Sequence, residues 1–458
     1  MLAAMKTTRR DLLRTGTIAL AASGSMATMI SSARPARANG WSRRPQGVGC
    51  FKGYGNLVPD PGGILDLPEG FRYEMLSVEG DALSRGGRVP SSHDGMAAFP
   101  GHGGKSYLVR NHELEPDDVE EDGLIPVARI DACYDEEAVG GTTTLLVGPD
   151  RKLLADRISL SGTSNNCAGG PTPWDSWLSC EETTDTLGKP HGYVFEVDPR
   201  RGGNPEPIVA MGRFEHEAVA FAFDGTAYLT EDADSPFGCF YRFQPRRPLR
   251  GAGSLHAGGT LSAMVVEGLA GSDLSAVQIP GTIWNVRWVE VPLVNPADGQ
   301  DSVRAQSVGL GATPIQKCEG TWTGQDGSIW FVGSRGDGPD ADDPEDVSAG
   351  EHAGQIWRFD PYAQTIELCT IFHRGTPFDE PDNITAGPHG FALACTDGDD
   401  DQWLVGINDG GGTFAFAFNA ENDEEFAGAT FSRDGHTLFV NIQGPPGRTF
   451  AIWGPWRG

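Results

Sequence analysis

Hydrophobic and polar positions alternate in short runs along most of this chain, and turn residues interrupt the runs at close intervals. Val219-Ala220-Phe221-Ala222-Phe223 leads into Asp224-Gly225, and a second run follows at 226–230. The polar pair Glu231-Asp232 comes next, and Cys239-Phe240-Tyr241-Arg242-Phe243-Gln244-Pro245 closes the unit. Residues 320–361 repeat this grammar with Trp322, a turn at Asp326-Gly327, an acidic loop and Gln355-Ile356-Trp357-Arg358-Phe359-Asp360-Pro361. Partial copies stand at 192–199 and 429–441. Alternation with period two predicts half-buried strands. Asp-Gly between two such runs predicts hairpins, because both residues tolerate positive φ. With 63 glycines, 32 prolines and few helical periods, the expected class is all-β. Four-strand units repeated around an axis make a β-propeller, and a β-sandwich with long insertions is the competing architecture.

The first residues change the picture of where the chain works. Thr8-Arg9-Arg10-Asp11-Leu12-Leu13-Arg14 has the twin-arginine form, 15–30 is weakly apolar, and Ala36-Arg37-Ala38 offers small residues for cleavage. The apolar run is too short and polar to span a bilayer stably. Residues 1–38 therefore read as a signal for the twin-arginine export machinery, and 39–458 as one domain, periplasmic or secreted, with 39–60 as an extended arm. Removing the signal takes the net charge from −28 to about −33. So acidic a surface argues against nucleic acid or, after processing, membrane as a partner. The acidic clusters at 115–121, 340–346 and 397–401 read as solvated loops or calcium sites. Eight cysteines with no Cys-x-x-Cys give no zinc signature and leave any disulfide pairing open.

Candidate chemistry concentrates in Asn166-Cys167-Ala168-Gly169-Gly170-Pro171-Thr172-Pro173-Trp174 and Trp177-Leu178-Ser179-Cys180-Glu181-Glu182. Burying carboxylates without partners is unfavourable. Thiolate and carboxylate together suit a metal, and an exposed acidic strand end is the plainer alternative. Glu113, Glu181, Glu217, Glu231 and Glu319 all stand at ends of expected strands. Gathered on a propeller axis they would repel one another unless cations neutralised them. His112 and His216 sit beside candidate ligands, as ligands or as hydrogen-bonding core residues. No P-loop and no Gly-x-Ser-x-Gly motif is present.

These segments resemble the PhoX family of secreted, metal-dependent alkaline phosphatases. The likeness extends to Asn111-His112-Glu113, Gly212-Arg213-Phe214-Glu215-His216-Glu217, Glu319-Gly320-Thr321, Pro381-Asp382-Asn383-Ile384, Phe426-Ala427-Gly428-Ala429-Thr430 and Gly454-Pro455-Trp456. The resemblance implies a six-bladed propeller with loop insertions, and ferric iron with calcium hydrolysing a small-molecule phosphate monoester. It implies Cys180 as iron ligand and Glu181, Glu217 and Glu319 as further ligands, with Glu113, Asp382 and Asn166 on the same basis. Characterised members carry arginine two residues before the Glu-Gly glutamate, with proline between. Here Lys317-Cys318-Glu319 supplies a point charge without a bidentate fork. Lys317 and Asn166 are thus the candidate catalytic side chains. A calcium-dependent propeller lactonase or esterase using Asn166, Asp382 and Asn383 is one alternative. A non-catalytic, metal-stabilised binding propeller is the other, since propellers host all three. A single closed propeller gives no reason for a partner subunit, so a monomer is expected.

Overall fold

The computed structural model describes residues 52–233, 237–277, 279–334, 352–373, 375–398 and 401–456. The export signal and the acidic run 340–346 lie outside them. Six antiparallel units surround one axis. Blade 1 holds His93–Pro100, Ser106–His112, Gly140–Val147 and Leu153–Thr163, and blade 2 holds Asn166–Pro171, Trp177–Glu181, Val194–Asp198 and Gly202–Gly203. Blade 3 holds His216–Phe221, Ala227–Glu231, Phe240–Pro245 and Gly259–Val266, and blade 4 holds Thr321–Thr323, Ile329–Gly333, His352–Asp360 and Thr365–His373. Blade 5 holds Pro381–Ala386, Phe391–Thr396, Trp403–Asn408 and Thr413–Asn419. Blade 6 takes three strands from the C-terminal end, Phe426–Phe431, Leu438–Ile442 and Arg448–Trp453, and its outer strand, Arg72–Val78, from near the other end. That pairing closes the ring. The six first strands pack in the cyclic order of the blades, the sixth against the first.

Two departures from a plain propeller follow the hydrophobic pattern. The strand Ile283–Glu290 pairs with Gly259–Val266 on one side and Thr365–His373 on the other, fusing blades 3 and 4 into one nine-stranded sheet. One apolar core spans both, with Phe240, Phe331, Trp357 and Phe359 buried together. Of the expected arm, 39–51 lie outside the described residues; Leu57–Val58 pairs with Leu65–Pro68 on the edge of blade 5, and Tyr54 makes edge contacts with Phe71, Phe391, Phe414, Phe416 and Trp456.

First strands crowd at the axis, and small residues allow it. A Cβ at Gly95 of blade 1 would lie 2.4 Å from the Ala168 Cα of blade 2, and one at Gly170 would lie 1.6 Å from the Val219 carbonyl oxygen of blade 3. Buried amides tie these strands to the rest. Asn111 donates to the Cys167 and Ala168 carbonyls (3.0 and 2.7 Å) and accepts from Trp177 and Ser179. Asn441 donates to the Asp94 carbonyl at 2.6 Å. Gly170→Ala is expected to lower unfolding stability by about 3 kcal/mol through overpacking, measurable as a denaturation midpoint shift at unchanged slope.

Candidate functional site

In an antiparallel blade, the start of the first strand and the end of the second lie on the same face of the propeller. On that face two rings of side chains converge. The inner ring is made by the second residue of the first strand: Asp94, Cys167, Glu217 and Asp382 in blades 1, 2, 3 and 5, with Ala427 in the same place in blade 6. Glu319 of blade 4 stands just ahead of its strand. A register shift follows in blades 1, 2, 3, 5 and 6. Bulges of this kind re-aim side chains next to functional sites. The outer ring is the residue that follows each second strand: Glu113, Glu182, Asp232, Ser334, Asp397 and Gln443.

The rings meet in two clusters, Cys167 with Glu182 and Glu217, and Glu217 with Glu319 and Asp382. Within each, one ligand atom per residue lies within 4.8 Å of the others. Cys167 Sγ is 2.7 Å from Glu217 Oε2. Lys317 Nζ lies between Asp232 (2.8 Å) and Glu319 (2.7 Å), and Gln443 donates to Glu113 at 2.7 Å. Glu217 Oε1, Asp232 Oδ1 and Glu425 Oε2 are buried and accept no hydrogen bond. Buried oxygens are ordinarily paired, so these three are fitted for cations.

Electrostatics point the same way. Burial first, and the neighbouring carboxylates second, push Asp94, Glu182, Glu217, Glu319, Asp397 and Glu425 well above the usual carboxylate range. The same causes, partly offset by Lys317 and Asn383, put Asp382 at about 6. Burial and Glu217 push the Cys167 thiol up. Burial also opposes ionisation of Asp232, but Lys317 outweighs it and holds that carboxyl below its ordinary value. Without cations the cluster retains protons, and loading it with metal would release them.

Of the residues singled out in the sequence, the structure brings Glu113, Glu217, Glu319, Asp382 and Lys317 together. It places the others elsewhere. Cys180 lies in the apolar core with Leu178, Val194 and Val219. The Glu181 carboxylate is used up by His191 Nδ1 (2.6 Å) and the N–H groups of Ser164, Gly192 and Tyr193. Asn166 donates to Ser179 Oγ at 2.8 Å and accepts from Thr163 at 2.6 Å. Glu231 pairs with Arg304 at 3.2 Å and accepts from Tyr241. The reason is the pleat: successive side chains alternate, so the axial residue is the neighbour, Glu182 beside Glu181 and Asp232 beside Glu231. His112 bridges Ser91 and Thr143, and His216 stacks on Phe214 with Nε2 on the Gly212 carbonyl, both in the interior.

Cys167, Glu182, Asp232 and Asp397 stood in segments noted in the sequence but were not singled out as ligands, and Asp94 and Glu425 were not noted at all. The signal for the inner ring was a recurrent triplet of any residue, then acid or thiol, then a small or amide residue: His93-Asp94-Gly95, Asn166-Cys167-Ala168, His216-Glu217-Ala218, Cys318-Glu319-Gly320, Pro381-Asp382-Asn383.

Comparison with known proteins gives the family and the fold. The family described as "Alkaline phosphatase PhoX" matches residues 52–446. Among solved structures, PhoX of Pseudomonas fluorescens in complex with vanadate superposes with a TM-score of 0.63 at 18% identity, covering 86% of this chain and 96% of that one. The pyranose dehydrogenase PQQ domain of Coprinopsis cinerea gives 0.46 at 9% identity over 86% and 98%. A Xanthomonas campestris gluconolactonase gives 0.42 at 12% over 89% and 100%. No curated protein sequence matches.

His191 supplies a test of the non-axial assignment of Glu181. Burial disfavours its cation, but Glu181 and Asp135 (3.3 Å) outweigh burial and raise its pKa above 6.5. The pair's stabilisation is therefore full below pH 6.5 and fades as pH rises through the folded value. His191→Ala should lower stability by about 3–5 kcal/mol at pH 6 and by less at pH 9, read from urea melts at both pH values.

Proposed function

Because the chain belongs to the alkaline phosphatase PhoX family, we propose that the axial face hydrolyses phosphate monoesters with the aid of bound cations. The observation that carries the reading is Glu217. It belongs to both clusters and keeps one buried oxygen without a partner. The Pseudomonas fluorescens protein binds vanadate, described as a transition-state analogue, which supports phosphoryl transfer as the chemistry.

Cys167, Glu182 and Glu217 would hold the ion that takes a sulfur ligand, which we assign to ferric iron from the family resemblance. Glu217, Glu319 and Asp382 would hold calcium with oxygen ligands alone. When bound, such ions neutralise charge on the phosphate oxygens and favour attack by water. The protein's own contributions are positional. Asn111 and Asn441 hold the strands carrying Cys167 and Asp94, and the bulges turn the ligands inward. Lys317 keeps Asp232 charged and pairs with Glu319, and its ammonium is placed to meet a phosphate oxygen as a point charge. A calcium-only lactonase leaves Cys167 without a role, which disfavours that reading. The twin-arginine pattern supports export before function, as a folded and loaded protein.

Cys167→Ser, Glu182→Gln and Glu217→Gln are each expected to lower kcat/KM for a chromogenic phosphate monoester by about a hundredfold or more and to reduce bound metal. Cys180→Ser should retain both. The purified protein should show a visible thiolate-to-iron absorption that Cys167→Ser loses and Cys180→Ser keeps. Wild-type protein loaded with iron and calcium yet inert toward phosphate monoesters would refute the proposal.

A further inference from the structure

Opposite the acidic rings, the propeller presents the turns that join first to second and third to fourth strands. In blades 3 and 4 these turns carry a group of exposed basic and apolar side chains. Arg246, Arg247 and Arg250, on the turn after Phe240–Pro245, are exposed and line a surface hollow with Gly253 and Ser254. None of the three forms an ion pair among the described residues. At their centre Leu249 is 49% exposed and held at φ 53°, a conformation uncommon for a residue other than glycine. Leu249 rests over the Gly225 turn, where a Cβ would come 2.9 Å from its Cγ. Phe223, two residues before that turn, is 59% exposed and reaches over Gly327 of blade 4, and Tyr362 on that blade's outer turn is 64% exposed.

The acids on these turns face inward to their own backbones. Asp224 accepts from Thr226 N–H, Asp326 from Ser328, and Asp360 from the N–H groups of Tyr362 and Ala363. What remains exposed at the tips is three guanidinium groups, a leucine, a phenylalanine and a tyrosine.

We propose that this face docks on an anionic phospholipid bilayer, with Arg246, Arg247 and Arg250 on lipid phosphates and Leu249, Phe223 and Tyr362 at the headgroup level. Charge complementarity selects this occupant. Guanidinium forks match phosphate oxygens, and exposed apolar and aromatic tips beside basic residues are the composition of interfacial anchors. Three unpaired guanidinium groups beside an exposed leucine match a phosphate-bearing lipid surface better than a protein face. The net charge of about −33 without residues 1–38 had argued against nucleic acid or membrane as a partner. That argument averages over the molecule, whereas the acids that converge on the axis lie on the other face. Docked in this way, the axial site opens away from the lipid.

The test is co-sedimentation of the full chain with phosphatidylglycerol–phosphatidylcholine vesicles and with phosphatidylcholine alone, at rising salt. All variants share the same N-terminal segment, so its contribution cancels. Wild type should bind the anionic vesicles, less so as salt increases. The combined variant Arg246→Glu, Arg247→Glu and Arg250→Glu should bind at least about a hundredfold more weakly, as expected for three basic residues near a charged surface. Leu249→Ser, which keeps every charge, should also weaken binding. Unchanged melting temperature and phosphate monoester turnover would show that the fold and the axial site are intact. Equal binding to neutral vesicles, undiminished binding of the triple variant, or displacement of vesicles by millimolar inorganic phosphate would each overturn the proposal. The last would indicate a small-anion site.

Discussion

Like charges brought to a common axis constrain everything else in this molecule. A propeller has a closed ring of first strands, and whatever their leading residues carry must share one small volume. Here those residues are Asp94, Cys167, Glu217, Glu319 and Asp382, overlaid by Glu113, Glu182, Asp232 and Asp397. At the separations found, mutual repulsion and desolvation exceed what hydrogen bonds from a few neighbours can offset. Lys317 and Gln443 satisfy part of the demand, and Glu217 Oε1, Asp232 Oδ1 and Glu425 Oε2 show how much is left. An acidic axis with orphaned oxygens and a thiol is a site built around cations, and its rigidity comes from strands packed too tightly to part.

That packing explains why small residues and amides recur where no chemistry is done. Gly95 and Gly170 let backbones approach to distances that a single methyl would forbid. Asn111 and Asn441 then replace hydrogen bonds that irregular first strands cannot make with their neighbours. Ring closure by Arg72–Val78 joins the two ends of the propeller in one blade, so the axial geometry depends on chain segments almost as far apart as the described residues allow.

The architecture was legible in the sequence because alternation and Asp-Gly turns are local signals, and blades 3 and 4 display them almost without interruption. The site was legible only to within a residue. Glu113, Glu217, Glu319 and Asp382 were identified, whereas Cys180, Glu181 and Glu231 point into the blades and Cys167, Glu182 and Asp232 take the axial places. A strand end can be located from composition, but which of two adjacent side chains faces the axis depends on the phase of the pleat, which composition does not give. Cys180 was attractive because it adjoins two glutamates in sequence. Cys167, flanked by Asn166 and Ala168, has its carboxylate partners in space, from the neighbouring blade and from the second strand of its own.

One further regularity links backbone to chemistry. The residue two places before the inner-ring side chain has positive φ in four blades: Ser92 at 49°, Asn165 at 47°, Lys317 at 40° and Glu380 at 33°. Left-handed conformations at residues other than glycine are unfavourable by about 1–3 kcal/mol each and persist where the surroundings over-determine them. Four at equivalent positions are one device repeated around the ring. In blades 1, 2 and 5 the turned chain enters the crowded axis just ahead of a register shift, whereas in blade 4 no shift follows. For Lys317 the device has a second effect, since the turned backbone carries its side chain onto Asp232 and Glu319. Strain, bulge and ion pair therefore belong to a single solution. The chain departs from regular strand geometry at the one place where regular geometry would direct the acidic side chains into the blades.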